Sequence, residues 1–140
     1  MPSKPETDYM DSEKPMHIYE YAVVRYVPHV ERQEFINIGL ILMCKRQGLV
    51  LTRFKIDPCR ISALCPGTDV EILQQQITGF RRVASGDTDM GGAIAELPAH
   101  ERFRWLTAVR SASLQTSRPH SGLSADLNDT FDRLFRDLVD

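Results

Sequence analysis

The chain has 140 residues, a net charge of −2 and 42% hydrophobic residues, the size and composition of one globular domain. Its 17 basic and 19 acidic residues nearly balance, which argues against a protein that chiefly coats nucleic acid or an anionic membrane. No apolar run reaches the roughly 18 residues that a membrane-spanning helix requires, so the sequence predicts a soluble protein.

Three cysteines, Cys44, Cys59 and Cys65, occur without a secretory signal. The odd count favours free thiols in a reducing cytoplasm. The spacing of Cys59 and Cys65 does not match a zinc motif, and the four histidines are scattered along the chain. We therefore expect no metal site and no cofactor.

Residues 1–15 are polar and contain three prolines, a composition that buries too little apolar surface to fold. We expect a flexible tail over 1–15 and a single globular domain over 16–140. Within that domain, segments rich in aromatic and β-branched residues predict three strands. These segments are 17–27, 35–44 and 49–56.

The first two strands predict a hairpin. In the register that places Val27 opposite Phe35, apolar side chains share one face. The members of this face are Ala22, Val24, Tyr26, Ile36, Ile38 and Leu40. The other face places Arg25 opposite Asn37, and it also carries Gly39, which indicates a bulge or a close approach by another backbone or a ligand.

The rest of the chain is mostly helical in pattern. The predicted elements, in chain order, are a helix capped by Asp57, a helix begun by the capping box of Thr68 and Glu71, a helix over 99–109, a short strand over 112–117 and a helix capped by Ser124. Strands that come first and helices that follow predict an α+β fold, with an antiparallel sheet of three to four strands and helices packed on a face.

The polar hairpin face offers the first candidate binding site. Arg25 and Asn37 are opposed, and Glu34 lies at the adjoining end of the loop. A guanidinium suits a carboxylate or phosphate ligand. The structural alternative, which the sequence favours, is an Arg25–Glu34 salt bridge that pins the hairpin, with Asn37 as a satisfied neighbour.

The segment from 110 to 122 offers a second candidate site. It contains three potential anion-binding side chains, Arg110, Arg118 and His120, among several hydroxyl groups. Such a set suits a phosphate or an acidic peptide. The alternative, which the sequence slightly favours, is a solvated connector whose hydroxyls bond the local backbone.

No segment carries a catalytic signature. A nucleophile elbow, a phosphate-binding glycine loop and a paired-histidine metal motif are all missing from the sequence. We therefore predict no catalytic residue, and the sequence leaves open whether the protein is an enzyme.

Taken together, several motifs resemble those of a bacterial family known as domain of unknown function 3037. They are Tyr19-Glu-Tyr-Ala-Val-Val-Arg25, Pro28, Glu34-Phe-Ile-Asn37-Ile-Gly39, Glu101-Arg-Phe-Arg-Trp-Leu-Thr107, Gln115-Thr-Ser117, His120 with Gly122, and the final helix from Phe131 to Leu138. The resemblance adds Gln115 to the candidate binding residues. One departure is Val109, where family members carry a proline before the arginine.

The resemblance assigns no activity, but it implies a small companion of a HipA-like kinase, because some members are encoded beside such kinases. We therefore favour a non-enzymatic accessory or binding protein with a protein partner. The alternative is an enzyme that acts on a phosphorylated or nucleotide-like substrate, with Glu34 as acid or base and arginines as anion clamps. A homo-oligomer is a third hypothesis, which an exposed apolar patch would favour.

Overall fold

A computed structural model of the protein describes residues 15–109 and 112–140. Over these residues the chain forms a five-stranded antiparallel sheet and four α-helices, which confirms the α+β class. The strands are β1 (His17–Tyr26), β2 (Ile36–Cys44), β3 (Leu49–Phe54), β4 (Leu114–Thr116) and β5 (His120–Ser124). The helices are α1 (Pro58–Leu64), α2 (Val70–Ser85), α3 (Ala99–Leu106) and α4 (Leu127–Leu138). The predicted tail lies outside the described residues, except for Pro15.

The sheet is centred on β1. Strands β2 and then β3 lie on one side of it, and both β4 and β5 pair with its other side. The fourth predicted strand is confirmed as β4. Strand β5 lies in the segment for which the sequence slightly favoured a solvated connector, and its own sequence, HSGLS, has little strand propensity. Its backbone pairing with five residues of β1 outweighs that weak preference.

A bulge in β2 changes the predicted hairpin register. Arg25 pairs with Asn37, as expected. Beyond that pair Ile38 is an additional residue, so that Val23 pairs with Leu40. One inserted residue reverses the face of every side chain that follows it. Leu40 therefore packs on the face opposite to the one predicted.

Helices cover both faces of the sheet rather than one. On the first face, α4 packs its apolar stripe against β1 and β2; the buried residues there are Tyr19, Val23, Leu40, Leu42, Cys44, Leu127, Phe131, Leu134, Phe135 and Val139. On the second face lie α1, α2 and α3, whose buried partners on the sheet are Ala22, Val24, Tyr26, Ile38, Ile41 and Met43. Because β1 and β2 are apolar on both faces, the sheet forms the central layer of the domain.

Two of the three predicted helix caps are wrong. Asp57 caps α1 as expected, and its carboxylate accepts hydrogen bonds from two backbone amides. The cap of α2 is Asp69 rather than Thr68, and that of α4 is Asp126 rather than Ser124. In each case an aspartate one or two residues further along the chain takes the capping role.

Tertiary contacts explain why the two hydroxyl residues do not cap. The hydroxyls of Thr68 and Tyr26 are hydrogen-bonded at 2.9 Å. Ser124 is the buried last residue of β5, and its Oγ lies 2.6 Å from the Thr130 Oγ1. Helix α3 is likewise shorter than predicted: Phe103 and Leu106 are buried, but the chain leaves the helix before Val109, which is fully exposed.

Candidate functional site

The most distinctive polar group of the sheet is Arg25 on β1. Its Cζ lies 4.1 Å from the centroid of the Phe35 ring, which is a cation–π contact. The Nε of Arg25 is buried and has no hydrogen-bond partner within the described part of the chain. A buried donor without a partner costs free energy, so this atom is a place where an acceptor from a ligand would be stabilising.

Asn37 lies beside Arg25 on the same face of the sheet. The two residues are directly opposed on β1 and β2, and the Asn37 Nδ2 donates a hydrogen bond of 3.2 Å to the Leu138 carbonyl. This bond ties β2 to the end of α4. The Oδ1 of Asn37 is buried and has no partner among the described residues, so Asn37 was only in part the satisfied neighbour that the sequence favoured.

Gln115 lies on the other side of Arg25. It is the residue opposite Arg25 in the pairing of β1 with β4, and its Nε2 donates to the Ala112 carbonyl at 2.6 Å. The pairing therefore sets Arg25 between Asn37 and Gln115, from three neighbouring strands, on one face of the sheet. The sheet thus joins one residue of the second predicted cluster to the first cluster.

A small pocket opens at Arg25. Its volume is about 240 Å³, and its lining residues are Arg25, Val27, Val30, Gln33, Phe35 and Gln115. The walls combine an aromatic ring and two valines with a guanidinium and two amides. This combination suits a small anionic group attached to an apolar segment.

Glu34 does not pair with Arg25, so the predicted salt bridge is wrong. The Glu34 carboxylate instead accepts a hydrogen bond of 2.9 Å from the Arg32 Nε. Both side chains are exposed, and the guanidinium lowers the pKa of Glu34 through this hydrogen bond and through its charge. A three-residue 3₁₀ turn, Val30–Arg32, ends at Gln33 in a left-handed conformation, with φ of 57°, and this turn brings Arg32 to Glu34. Glu34 therefore lines a different, neighbouring pocket.

Of the remaining predicted residues, His120 begins β5 and Arg118 lies in the short connection between β4 and β5. The His120 ring contacts the Tyr21 ring, with 5.4 Å between centroids, and His120 pairs with Tyr21 in the register of β1 and β5. Tyr21 is four residues from Arg25 along β1, or about 13 Å at the usual strand rise. His120 and Arg118 are both exposed, and neither lines the Arg25 pocket. Arg110, also predicted, lies outside the described residues.

Four lining residues of the pocket were not predicted as site residues: Val27, Val30, Gln33 and Phe35. Gln33 fell within a segment interpreted as a polar loop, and Phe35 was assigned to the apolar run of β2. Phe35 is in fact 45% exposed, because it precedes the strand and its ring covers Arg25 rather than the core. An aromatic residue near an arginine of the paired strand is the sequence signal from which this contact could have been predicted.

The polar side chains of the Arg25 pocket can form hydrogen bonds and an ion pair with a ligand. Within the described ranges no group of histidine, cysteine and carboxylate side chains is arranged to hold a metal ion. None of the described helices is both long and apolar enough to cross a membrane. The polar groups that line the pocket are the Arg25 guanidinium, which is a cation and only donates, and the amides of Gln33 and Gln115, which can donate and accept.

Residues 21–139 match the family model DUF3037, described as a protein of unknown function. The match covers most of the chain and includes β1 from Tyr21 onward, the Arg25 pocket and α4. The chain therefore belongs to this family, as its motifs indicated. No curated protein and no solved structure shows significant similarity to it.

Proposed function

We propose that this member of the family is a non-enzymatic binding protein, which holds an acidic group of a partner protein in the Arg25 pocket. The observation that carries the proposal is the Arg25 guanidinium, stacked on Phe35 with a buried Nε that lacks a partner among the described residues. Stacking fixes the plane of the guanidinium, so that its N–H groups donate in directions that lie within that plane. A carboxylate or phosphate presented edge-on would accept those hydrogen bonds.

The size of the pocket favours a group on a partner protein over a free small molecule. Sites for drug-sized ligands and cofactors usually enclose about 300–1,000 Å³, whereas this pocket encloses about 240 Å³. That volume accommodates one acidic side chain or a phosphorylated one. The apolar walls from Val27, Val30 and Phe35 would contact the residues that flank it.

A kinase-like partner is the class that the family resemblance implies. It remains part of the proposal and is tested together with the pocket. A protein kinase or its phosphorylated form would present a phosphate or carboxylate to Arg25, which is the chemistry that the pocket selects.

The alternative, an enzyme that acts on a phosphorylated or nucleotide-like substrate, receives less support. It assigned Glu34 as acid or base beside Arg25, but Glu34 is exposed, paired with Arg32 and outside the Arg25 pocket. Its lowered pKa keeps it deprotonated and makes it a poor proton donor near neutral pH.

Nuclear magnetic resonance of the arginine side chains tests the pocket directly. In ¹⁵N-labelled protein, titration with sodium acetate and with inorganic phosphate at constant ionic strength should shift the Arg25 Nε–Hε signal saturably. The exposed Arg118 provides the matched control and should show only a small, unsaturated change. Equal responses from both arginines, or no response from Arg25, would contradict anion binding at this pocket.

Affinity purification from the source organism tests the partner. The wild-type protein should retain a stoichiometric partner, with a kinase-like protein as the expected class, and Arg25→Ala should lose it. Arg118→Ala is the control and should retain the partner. Circular dichroism must show that Arg25→Ala is folded; retention of the partner by a folded Arg25→Ala protein would show that the pocket is not the binding site.

A further inference from the structure

Within residues 15–109 and 112–140, an apolar patch is exposed at one end of the sheet. Ile18 and Leu123 are directly opposed on β1 and β5, and they are 69% and 62% exposed. Met16, which is 55% exposed, extends the surface at the start of β1. We call these three residues, with the buried Met43 beneath them, the β1–β5 patch; they line a groove of about 630 Å³.

The patch lies just beyond the reach of the helices on the second face of the sheet. Side chains alternate along β1, so Ile18 shares the face of Ala22 and Val24. Ala22 and Val24 are fully buried beneath α2 and α3, whereas the Ile18 side chain is exposed. Large apolar side chains that remain exposed together on one surface commonly mark an interaction site.

Charged residues of both signs border the groove. Glu20 follows Ile18 on the same face of β1, and Lys45 and Arg46 lie at the turn after β2. Among the described residues none of these three takes part in an ion pair. The border therefore carries an acidic residue on β1 and basic residues at the turn.

We propose that the β1–β5 patch binds a second copy of this chain, in a symmetric dimer. In an isologous interface each element of the patch meets another element of the same patch on its partner. A two-fold rotation would bring Glu20 of each copy toward Lys45 of the other, while Ile18 and Leu123 pack at the centre. The patch thus supplies its own complement in charge and in apolar surface.

The dimer is independent of the Arg25 pocket. Arg25 projects from the opposite face of β1, since it is an odd number of residues from Ile18 along the strand, and no residue is shared between the groove and that pocket. Dimerisation through the patch leaves the pocket accessible in both copies. The failure of either proposal would leave the other intact.

Sedimentation velocity of the full chain over a wide concentration range tests the dimer. The wild-type protein should show a monomer–dimer equilibrium. Ile18→Ser should weaken dimerisation about a hundredfold, because the substitution is present in both copies and each copy loses a contact worth about tenfold in affinity. Ile72→Ser is the matched control, since Ile72 is 53% exposed on α2, outside the patch, and it should leave the equilibrium unchanged.

Charge reversal provides the second measurement. Glu20→Lys should weaken the dimer, and combining it with Lys45→Glu should restore it, because the two charges exchange places across the two-fold axis. A wild-type protein that remains monomeric at every concentration would overturn the proposal. So would a dimer that Ile18→Ser and Ile72→Ser affect equally.

Discussion

The Phe54 ring lies directly against Gly39, where any other residue would place its Cβ. A Cβ built on Gly39 would lie 2.5 Å from the Phe54 Cδ2 and 3.1 Å from the Arg53 carbonyl oxygen. Gly39 also follows the bulged residue Ile38 and pairs with Phe54 in the register of β2 and β3. The glycine therefore permits a close approach by a neighbouring strand rather than by a ligand.

We expect Gly39→Ala to destabilise the fold by about 1–3 kcal/mol, the usual cost of overpacking a core. Phe54 is held by the Phe80 ring, with 5.6 Å between centroids, so its ring has little freedom to withdraw. The measurement is the free energy of unfolding from urea denaturation. An unfolding free energy within about 0.5 kcal/mol of wild type, the usual range for harmless surface changes, would show that the ring moves aside easily.

Gly79→Ala is the matched control, and we expect the opposite sign. Gly79 lies within α2, and a Cβ built there has no atom within 4 Å. Alanine in a helix interior is more stable than glycine by about 0.5–1 kcal/mol. Urea denaturation should therefore show Gly79→Ala to be more stable than wild type; a loss of stability would mean that this helical turn has an unrecognised constraint.

The N-terminal cap of α2 leads to a prediction that distinguishes capping by Asp69 from the predicted capping box of Thr68 and Glu71. The Asp69 carboxylate accepts hydrogen bonds from the Glu71 and Ile72 amides at 3.0 and 3.2 Å. We expect Asp69→Ala to cost about 1 kcal/mol, as the loss of a helix cap usually does. Glu71→Ala, which removes the side-chain acceptor that a capping box would need, should change stability little in thermal denaturation. A larger effect at Glu71 would instead support the capping box with Thr68.

Local patterns predicted the elements of this fold better than its tertiary pairings. The strands β1 to β3 and the stripe of α4 follow from apolar periodicity, which acts within one segment. The bulge at Ile38 and the strand β5 depend on partners elsewhere in the chain. Thr68 illustrates the difference: its sequence context favours a cap, but the distant Tyr26 hydroxyl takes its hydrogen bond.

In the candidate site, too, local pairing could be predicted from the sequence, but contacts that depend on loop conformation could not. The opposition of Arg25 and Asn37 followed from the hairpin register and is confirmed, whereas the partner of Glu34 depended on the conformation of the loop. The left-handed backbone at Gln33 turns Glu34 toward Arg32. A sequence with no glycine or asparagine at that position gave no signal of such a turn.

The buried hydroxyl pair beneath α4 predicts an asymmetric response to substitution. The Ser124 Oγ accepts a hydrogen bond from the Asp126 amide at 3.0 Å and donates to the Asp126 carbonyl at 2.8 Å, in addition to its contact with Thr130. Ser124→Ala removes all three and should cost about 1–3 kcal/mol, since it leaves polar groups unpaired. Thr130→Val removes one bond and should cost about 0.5–1.5 kcal/mol.

Urea denaturation of both variants gives the comparison. The test is which variant loses more free energy of unfolding, rather than the size of either loss. Thr130→Val replaces a hydroxyl by a methyl group, whereas Ser124→Ala only removes a hydroxyl, so the two losses differ in packing as well. If Thr130→Val proved the more harmful, the hydroxyl of Thr130 would hold a partner other than Ser124.

The Arg32–Glu34 pair makes a prediction about pH. Because the hydrogen bond from Arg32 lowers the pKa of Glu34, the pair contributes fully above the unfolded-state pKa and is lost as pH falls through the lowered, folded-state pKa. We expect Arg32→Gln to return the pKa of the Glu34 carboxyl toward its ordinary value, followed by its carbon-13 chemical shift. Arg118→Gln is the control and should leave that titration unchanged, since Arg118 does not pair with Glu34. If Arg25→Gln changed the pKa of Glu34 and Arg32→Gln did not, the result would support the Arg25–Glu34 salt bridge and a place for Glu34 in the Arg25 pocket.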